Sequence, residues 1–185
     1  MKNYFFLIMI IFLTSKVNAS TKENIILNLK STENINFNFE QNINGKIERG
    51  NCTIEYPKKI FCKYNLGNQK ILVSNGKWLI IKTSASYYKY PLEKTPLNYL
   101  LNKEFLIRKI LNIEHRIIEN KFINFKFFEN ENEFNIFFDA KNFNLIGWQT
   151  LDLYQNLSVT YINSILINQK LSGNLFKLPQ RADLN

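Results

Sequence analysis

Apolar and polar residues alternate along most of the chain, with the period of two that a half-buried β-strand produces. Asn75–Gly76 separates two such stretches and is the strongest short-range signal for a hairpin. The positions that share a predicted apolar face are Ile35, Phe37 and Phe39; Cys52, Ile54 and Tyr56; Ile60, Cys62 and Tyr64; Ile71 and Val73; Trp78 and Ile80; Ile123, Phe125 and Phe127; Phe134, Ile136 and Phe138; and Leu157, Val159 and Tyr161. This pattern predicts a large antiparallel sheet of short strands.

Two segments have the helical period instead. Ser20 and Glu23 form a predicted capping box, which opens a helix over residues 20–31. Thr95 before a proline predicts the N-cap of a second helix, over about residues 96–110. Each helix has one apolar face, so we expect both to pack against one face of the sheet. The predicted fold class is mainly β with an α lid (α+β): a strongly curved antiparallel sheet covered by short amphipathic helices.

The N-terminal residues 1–19 have the layout of a cleavable secretory signal peptide. Lys2 gives a positive start, residues 4–13 form an unbroken apolar run, and Val17–Ala19 ends in a small-residue cleavage site. A membrane span needs roughly 20 apolar residues, about twice this run. Ser20 rather than cysteine follows the cut, so we expect no lipid anchor on the mature chain. The expectation is a soluble, exported protein of the periplasm; the alternative is an uncleaved N-terminal anchor.

Residues 20–185 have the length of one domain. The formal net charge is +9, and strong basicity is typical of proteins that bind nucleic acid or acidic membrane surfaces. The lysines are scattered, however, with no run longer than Lys58–Lys59. The chain is also rich in Asn, Ile and Lys, as an AT-rich genome produces. We therefore expect no nucleic-acid partner, and a preference for anionic lipid headgroups stays an open alternative.

Cys52 and Cys62 are the two cysteines of the chain. The segments around them have the pattern of two strands joined by a tight turn. A three-residue loop over residues 56–58 places residue 55 opposite residue 59, and therefore Cys52 opposite Cys62. In an oxidising compartment such a pair predicts one disulfide, worth about 2–3 kcal/mol of stability. The alternative is a pair of buried free thiols.

The chain lacks the side-chain groupings that common enzymes use. It has no Gly-rich phosphate loop, no Gly-x-Ser-x-Gly nucleophile elbow and no cluster with metal-ligand spacing. His115, the one histidine, lies in a polar stretch and is expected at the surface. Asp139 and Asp152 could meet across a sheet as a carboxylate pair, but nothing in the sequence brings them together. We therefore predict a protein that is not an enzyme and that needs no metal or cofactor.

Aromatic residues are abundant, with 16 Phe and 9 Tyr. Aromatic residues at a period of two usually form a core, which is one interpretation. The other interpretation follows from the predicted fold, because a curved sheet with two short helices has more apolar face than lid. An apolar face that is covered loosely forms a cavity for an apolar ligand. Composition leaves both interpretations open.

Several stretches follow one another in a characteristic order. They are Phe39–Gln41, Gly50–Pro57, Ile71–Leu79, Pro91–Leu92, Thr95–Leu101, Gly147–Asp152 and Asn174–Pro179. In this order and spacing they resemble the outer-membrane lipoprotein carrier protein (LolA) family, with Ile71–Leu79 similar to its Ser-Asp-Gly hairpin. No single motif is highly specific, but the resemblance covers about residues 21–180.

The resemblance implies an open half-barrel with a helical lid and a hydrophobic cavity for acyl chains. It implies a periplasmic chaperone that receives acylated lipoproteins from an ABC-type release complex at the inner membrane. Such a carrier, expected as a monomer, delivers them to an outer-membrane receptor or to the outer membrane itself. The expected cavity residues are Phe37, Phe39, Ile54, Tyr56, Ile60, Trp78, Ile80, Leu97, Leu100, Leu101, Phe125, Ile136 and Trp148. The alternative is a periplasmic carrier of free lipid or of another apolar ligand on the same fold.

The chain departs from the family pattern at three places. The residue before the hairpin proline is commonly an arginine that hydrogen-bonds the lid, and here it is Tyr56. Either the Tyr56 hydroxyl makes a weaker latch, or Arg49 takes over, or the lid opens more easily. A tryptophan common in the hairpin corresponds to Ile80, while Trp78 lies two residues earlier, on the same face of a strand. The two cysteines stand where the family usually has apolar residues.

Overall fold

Eleven strands form one continuous antiparallel sheet in a computed structural model of the chain, which describes residues 20–181. The strands are β1 (Asn34–Ile43), β2 (Lys46–Glu55), β3 (Lys59–Tyr64), β4 (Ile71–Asn75), β5 (Trp78–Lys82), β6 (Tyr87–Pro91), β7 (His115–Ile118), β8 (Phe122–Glu129), β9 (Asn132–Asp139), β10 (Leu145–Leu151) and β11 (Leu157–Ile167). Their order across the sheet is β6-β5-β4-β3-β2-β1-β11-β10-β9-β8-β7. The sheet is open, because β6 and β7 are its two edges. The predicted mainly-β fold is confirmed, and the predicted signal peptide lies outside the described residues.

Three α-helices cover one face of this sheet, which we call the inner face. They are α1 (Thr21–Ser31), α2 (Leu97–Leu100) and α3 (Lys103–Asn112). The predicted capping box at the start of α1 is confirmed: Ser20 Oγ accepts from the Glu23 backbone N–H, and a Glu23 carboxylate oxygen accepts from the Ser20 N–H. Ile25, Ile26 and Leu29 are the buried residues of α1.

The predicted second helix over residues 96–110 is two helices. Asn102 interrupts it, because its side-chain oxygen accepts a hydrogen bond from the Phe105 backbone N–H at 3.1 Å and thereby caps α3. Thr95 does not act as the predicted cap: its Oγ1 donates to the carbonyl of Leu92 at 2.8 Å, within the 3₁₀ turn that precedes α2. The lid therefore consists of three short pieces rather than two helices.

The faces predicted for β4, β5 and β11 are reversed. Leu72 and Leu79 lie on the inner face, together with Ser158 and Thr160 of β11. Val73 and Ile80 are each 1% exposed but lie on the opposite, outer face.

The outer face of β4 and β5 is apolar because the C-terminal segment runs along that side of the sheet. The Phe176 ring lies 5.7 Å from Lys59 Nζ. The Tyr87 hydroxyl donates to the carbonyl of Pro179 at 3.2 Å. Both Lys59 and Tyr87 point away from the helices, since their strand neighbours line the inner face. Strands β4 and β5 therefore have apolar side chains on both faces, so the alternation of apolar and polar residues does not show which face is the inner one.

The inner face is filled by aromatic residues at the β8–β9 end. Phe127 and Phe134 stack with ring centroids 5.2 Å apart, and Phe125 and Phe138 meet edge-to-face at 5.9 Å. Phe105 of α3 lies 5.9 Å from Phe127 and joins the helix to these strands. We call these five residues the aromatic cluster. It anchors the lid at one end of the sheet.

The predicted disulfide between Cys52 and Cys62 is present. The strands β2 and β3 pair Glu55 with Lys59, which brings the two cysteines directly opposite each other. Both side chains are buried on the inner face. The bridge therefore joins two strands beneath the lid.

Removal of the bridge should destabilise the protein. We expect a Cys52→Ala/Cys62→Ala variant to lose about 2–3 kcal/mol of unfolding free energy, because the open chain gains conformational entropy when unfolded. Urea denaturation of the oxidised protein and the variant measures this difference. Equal midpoints, or an unchanged mass after reduction of the native protein, would contradict the expectation.

Candidate functional site

A cavity of about 390 Å³ lies between the inner face and the lid. This volume falls within the range of roughly 300–1,000 Å³ that is typical of ligand sites. Its walls come from β1–β6, from β10 and β11 with the loop between them, and from the segment that leads into α2. The apolar side chains of the wall include Phe37, Phe39, Ile60, Leu72, Leu79, Ile81, Leu97, Leu100 and Trp148.

Strand register builds the apolar floor of the cavity. Phe37 is paired with Cys52, Cys52 with Cys62, and Cys62 with Leu72. Leu72 is paired in turn with Ile81 of β5. The five side chains form one row across β1 to β5, because directly opposite residues in antiparallel strands share a face. The disulfide lies in the middle of this row.

The far end of the cavity is polar. Glu48 is paired in register with Gln41, and Gln41 is paired with Thr160 on its other side. The Glu48 carboxylate is 4% exposed and accepts hydrogen bonds from Lys70 and, at 3.3 Å, from Lys46. Lys70 Nζ also lies 4.1 Å from the centroid of the Tyr64 ring.

Two opposing effects act on the pKa of Glu48. Burial raises it, but the hydrogen bonds and charges of Lys70 and Lys46 outweigh burial and hold the pKa below its usual value of 4.5. Glu48 is therefore ionised at neutral pH, and its charge lies beside the charges of two lysines in the cavity wall.

Six of the thirteen expected cavity residues lie in the wall of the cavity. Phe37, Phe39, Ile60, Leu97, Leu100 and Trp148 line the cavity. Ile54, Leu101 and Ile136 line a smaller hollow directly behind it, which shares four of the same wall residues. Tyr56 lies in a separate hollow beside α1, and Phe125 belongs to the aromatic cluster.

Trp78 and Ile80 require a correction, because they lie outside the cavity. Leu79 and Ile81 are the β5 residues that reach its wall, and successive side chains of a strand point to opposite faces. Trp78 instead packs its ring 4.3 Å from the Nζ of Lys89.

The polar residues of the cavity wall were not predicted from the sequence. Ser158, Thr160 and Thr150 are 4%, 4% and 6% exposed, respectively, and line the cavity. Ser158 and Thr160 are alternate residues of β11, where their polarity made the opposite parity look like the buried face. Trp148 could have revealed Thr150, because it lies two residues earlier on the same strand and the two side chains therefore share a face.

The lid is held by a backbone hydrogen bond to the sheet and by side-chain hydrogen bonds from Lys103 between its own pieces. The Lys58 N–H, in the β2–β3 turn, donates to the carbonyl of Leu101 at 2.8 Å. Lys103, at the start of α3, donates to the carbonyls of Thr32 at 2.9 Å and Lys30 at 3.3 Å, at the C-terminal end of α1. Lys103 therefore ties two pieces of the lid together.

Of the candidate latch residues, Arg49 lies on the outer face and binds Glu40, with its Nη2 2.7 Å from the carboxylate. It is therefore not a lid contact. The Tyr56 backbone N–H donates to the carbonyl of Glu33 at 2.9 Å, and its ring lies 5.9 Å from Lys103 Nζ. Burial raises the pKa of Tyr56 to about 12. The cation beside the Tyr56 ring is thus Lys103 of α3 rather than Arg49 of the sheet.

The family model described as "Outer membrane lipoprotein carrier protein LolA" matches residues 30–179. The chain belongs to the LolA family. The expected resemblance is thereby confirmed over nearly all of the described residues, and the sheet with its helical lid is a LolA-like half-barrel. The sequence matches no curated protein.

Solved structures are similar to this LolA-family chain in fold. A LolA superfamily protein from Nitrosomonas europaea, NE2245, has a TM-score of 0.42 and 9% identity, over 86% of this chain and 99% of that chain. An uncharacterized conserved protein from Thermus thermophilus has a TM-score of 0.50 and 7% identity, over 85% of this chain and 94% of that chain. MucB has a TM-score of 0.50 and 9% identity, over 87% of this chain and 62% of that chain.

The two aspartates considered as a catalytic carboxylate pair each stabilise a local turn or loop. Asp139 accepts hydrogen bonds from the backbone N–H groups of the turn that follows β9, and Asp152 does the same in the β10–β11 loop. His115 is half-buried, with its ring 5.7 Å from Phe125, and is not the solvated residue that the sequence predicted. Within residues 20–181, no group of three or more His, Cys, Asp and Glu could hold a metal ion. No helix in the same range combines the length and apolarity that a bilayer crossing requires.

Glu48→Gln should make stability less dependent on pH. At pH 7 we expect it to lower the unfolding free energy by about 1.5–3 kcal/mol, because a charge-assisted hydrogen bond is lost. The folded-state pKa lies below 4.5, so this stabilisation is present above 4.5 and is lost as the pH falls through the folded-state pKa. Urea denaturation from pH 7 down to pH 3 should show the unfolding free energies of the unmodified protein and the variant converging.

Glu40→Gln, at the exposed pair with Arg49, is the matched control and should change stability by less than about 1 kcal/mol. A difference that is constant with pH would contradict the assignment.

Lys103→Met should loosen the lid without unfolding the sheet. We expect amide hydrogen exchange in the last turn of α1 and the first turn of α3 to accelerate about fivefold to tenfold, which corresponds to the loss of roughly one hydrogen bond. Tyr56→Phe keeps the ring beside Lys103 and should change exchange less than about twofold. If Tyr56→Phe accelerates exchange as much as Lys103→Met, then the Tyr56 hydroxyl is the latch.

Proposed function

We propose that this protein is a periplasmic chaperone that binds the acyl chains of lipoproteins and carries them from the inner to the outer membrane. The observation that carries the proposal is the apolar cavity under the lid of a LolA-family half-barrel. Leu97 and Leu100 of α2 face the open cavity of about 390 Å³. At the β8–β9 end, by contrast, aromatic side chains fill the inner face.

A carrier is needed because hydrocarbon does not cross water unaided. Each buried CH₂ group contributes about 0.8 kcal/mol, so an anchor of two or three acyl chains is held very firmly in a bilayer. A cavity that covers part of the chains lowers the barrier to release. It must also bind less tightly than the final acceptor, or delivery stops. A small cavity with a lid in short pieces suits such partial, reversible cover.

The remaining parts of the proposal follow the predicted export of the chain. Residues 1–19 act as a signal peptide, and residues 20–185 form one carrier domain in the periplasm. The domain acts as a monomer without catalysis or cofactor. It receives cargo from an ABC-type release complex and delivers it to an outer-membrane receptor or to the outer membrane itself.

Leu97→Arg tests the proposal, because it places a charge in the apolar wall. In an assay with inner-membrane vesicles, an acylated lipoprotein and the release complex, we expect this variant to carry at least about tenfold less lipoprotein into the soluble fraction.

Leu111→Arg is the matched control, since Leu111 is 58% exposed on α3 and lies outside the cavity wall. It should retain transfer within about twofold. Circular dichroism checks that both variants are folded. If the unmodified protein carries no lipoprotein into the soluble fraction, or if Leu97→Arg transfers as well as Leu111→Arg, then the carrier role is wrong.

The second candidate is a periplasmic carrier of free lipid. The polar end of the cavity favours it, because one amphiphile with a single polar group matches a site with one apolar and one polar end. Mass spectrometry of material bound to protein isolated from the periplasm distinguishes the two: acylated peptide supports the lipoprotein carrier, and lipid without peptide supports this candidate.

A further inference from the structure

Four polar side chains of the cavity wall form a patch that we call the polar strip: Gln41, Thr150, Ser158 and Thr160. Strand register brings them together, because Gln41 is paired with Thr160 and Thr150 is paired with Ser158. All four line the cavity. The two threonines and the serine are more than nine-tenths buried.

Two hydroxyl groups of the polar strip are unsatisfied. The Oγ1 atoms of Thr150 and Thr160 are buried without a hydrogen-bond partner among the described residues. By contrast, Gln41 Nε2 donates to Ser158 Oγ at 2.9 Å. A buried hydroxyl without a partner is destabilising, whereas valine has nearly the same shape and no such penalty. Each Oγ1 atom is itself enclosed, so its hydroxyl reaches a ligand only when the threonine side chain turns it toward the cavity. Threonine at both positions therefore points to a bound group that draws the hydroxyls into the cavity and supplies the missing hydrogen bonds.

Each charged group of the cavity wall already has a partner in the structure. Lys46 and Lys70 both bind Glu48. The Asp152 carboxylate accepts from the backbone N–H groups of Tyr154 and Asn156. Phosphate groups are held most strongly by charge-assisted hydrogen bonds from cations. The polar strip, built from hydroxyl and amide groups, suits an uncharged headgroup instead.

The strands also fix how a ligand lies. Phe37, Phe39 and Gln41 are alternate residues of β1 on the inner face, so a path along the strand changes from apolar to polar over roughly 13 Å. On β11 the same change runs from Ile162 to Thr160 and Ser158. A ligand that lies along these strands therefore has one end at the polar strip and its hydrocarbon over the apolar residues.

We propose that the cavity binds an amphiphile whose uncharged headgroup, an ester, amide or hydroxyl group, lies at the polar strip with its hydrocarbon against Phe37 and Trp148. This inference rests on the proposed carrier function and names the chemistry of its ligand. Two sources share this chemistry: the acylated amino terminus of a lipoprotein, with its ester and amide bonds, and a neutral free lipid.

A Thr150→Val/Thr160→Val variant tests the polar strip while keeping its shape. Binding of decane, monodecanoylglycerol and decyl phosphate is measured by displacement of an environment-sensitive fluorophore. The unmodified protein should prefer monodecanoylglycerol to both other probes. The variant should bind it about tenfold more weakly, because two hydrogen bonds to the ester and hydroxyl groups are lost, and should bind decane within about twofold of the unmodified protein. Its thermal stability without ligand should equal or exceed that of the unmodified protein, which checks that it folds.

The outcomes separate this inference from the carrier function. If the unmodified protein binds none of the three probes, both fail. If it binds them but the variant shows the same preference for monodecanoylglycerol, or if decyl phosphate is preferred, the assignment of the polar strip fails and the carrier function stands. When the variant loses the preference for monodecanoylglycerol, competition distinguishes the two sources of the ligand. A diacylglyceryl-cysteine peptide competes if the source is a lipoprotein, and a neutral glycolipid competes if it is a free lipid. Displacement by only an anionic phospholipid would overturn the assignment.

Discussion

Three helices of eleven, four and ten residues cover the inner face of an eleven-stranded sheet, and this shortage of cover determines the rest of the structure. Phe105 packs α3 against the aromatic cluster, so the β8–β9 end is filled. Over β1–β6 the lid consists mainly of α2, and about 390 Å³ stays open beneath it. The buried apolar surface of the filled end stabilises the fold, and the apolar surface of the open end is available to a ligand.

Much of the fold was predictable because local patterns and long-range pairing agree. In β1, β2 and β3 one face is polar, so alternation identifies the inner face, and the tight turn after Glu55 sets the register that joins Cys52 to Cys62. The edge strands β6 and β7 were not predictable in this way, because each pairs on one side only and has exposed residues on both faces. The break in the lid depends on Asn102, whose capping hydrogen bond competes with a continuous helix.

The candidate site was predictable where the inner face is apolar and not where it is polar. Phe37 and Trp148 follow the apolar pattern and line the cavity. Ile80 also follows it but is buried against the outer face, since the C-terminal segment covers that side of the sheet. Thr160 violates the pattern, because it is a polar residue on the face that alternation expects to be apolar. Local rules fail most often at functional or strained positions, which agrees with the role that we propose for the polar strip.

A carrier of acyl chains must take hydrocarbon into the space beneath α2. The most direct measurement is calorimetric titration of delipidated protein with maltosides whose alkyl chains lengthen one CH₂ at a time, below their micelle concentrations. Uptake of hydrocarbon predicts that the binding free energy becomes more favourable by about 0.8 kcal/mol for each CH₂ until the cavity is filled, which is roughly a fourfold gain in affinity per group. Affinity that does not depend on chain length, or no binding by any member of the series, would contradict it.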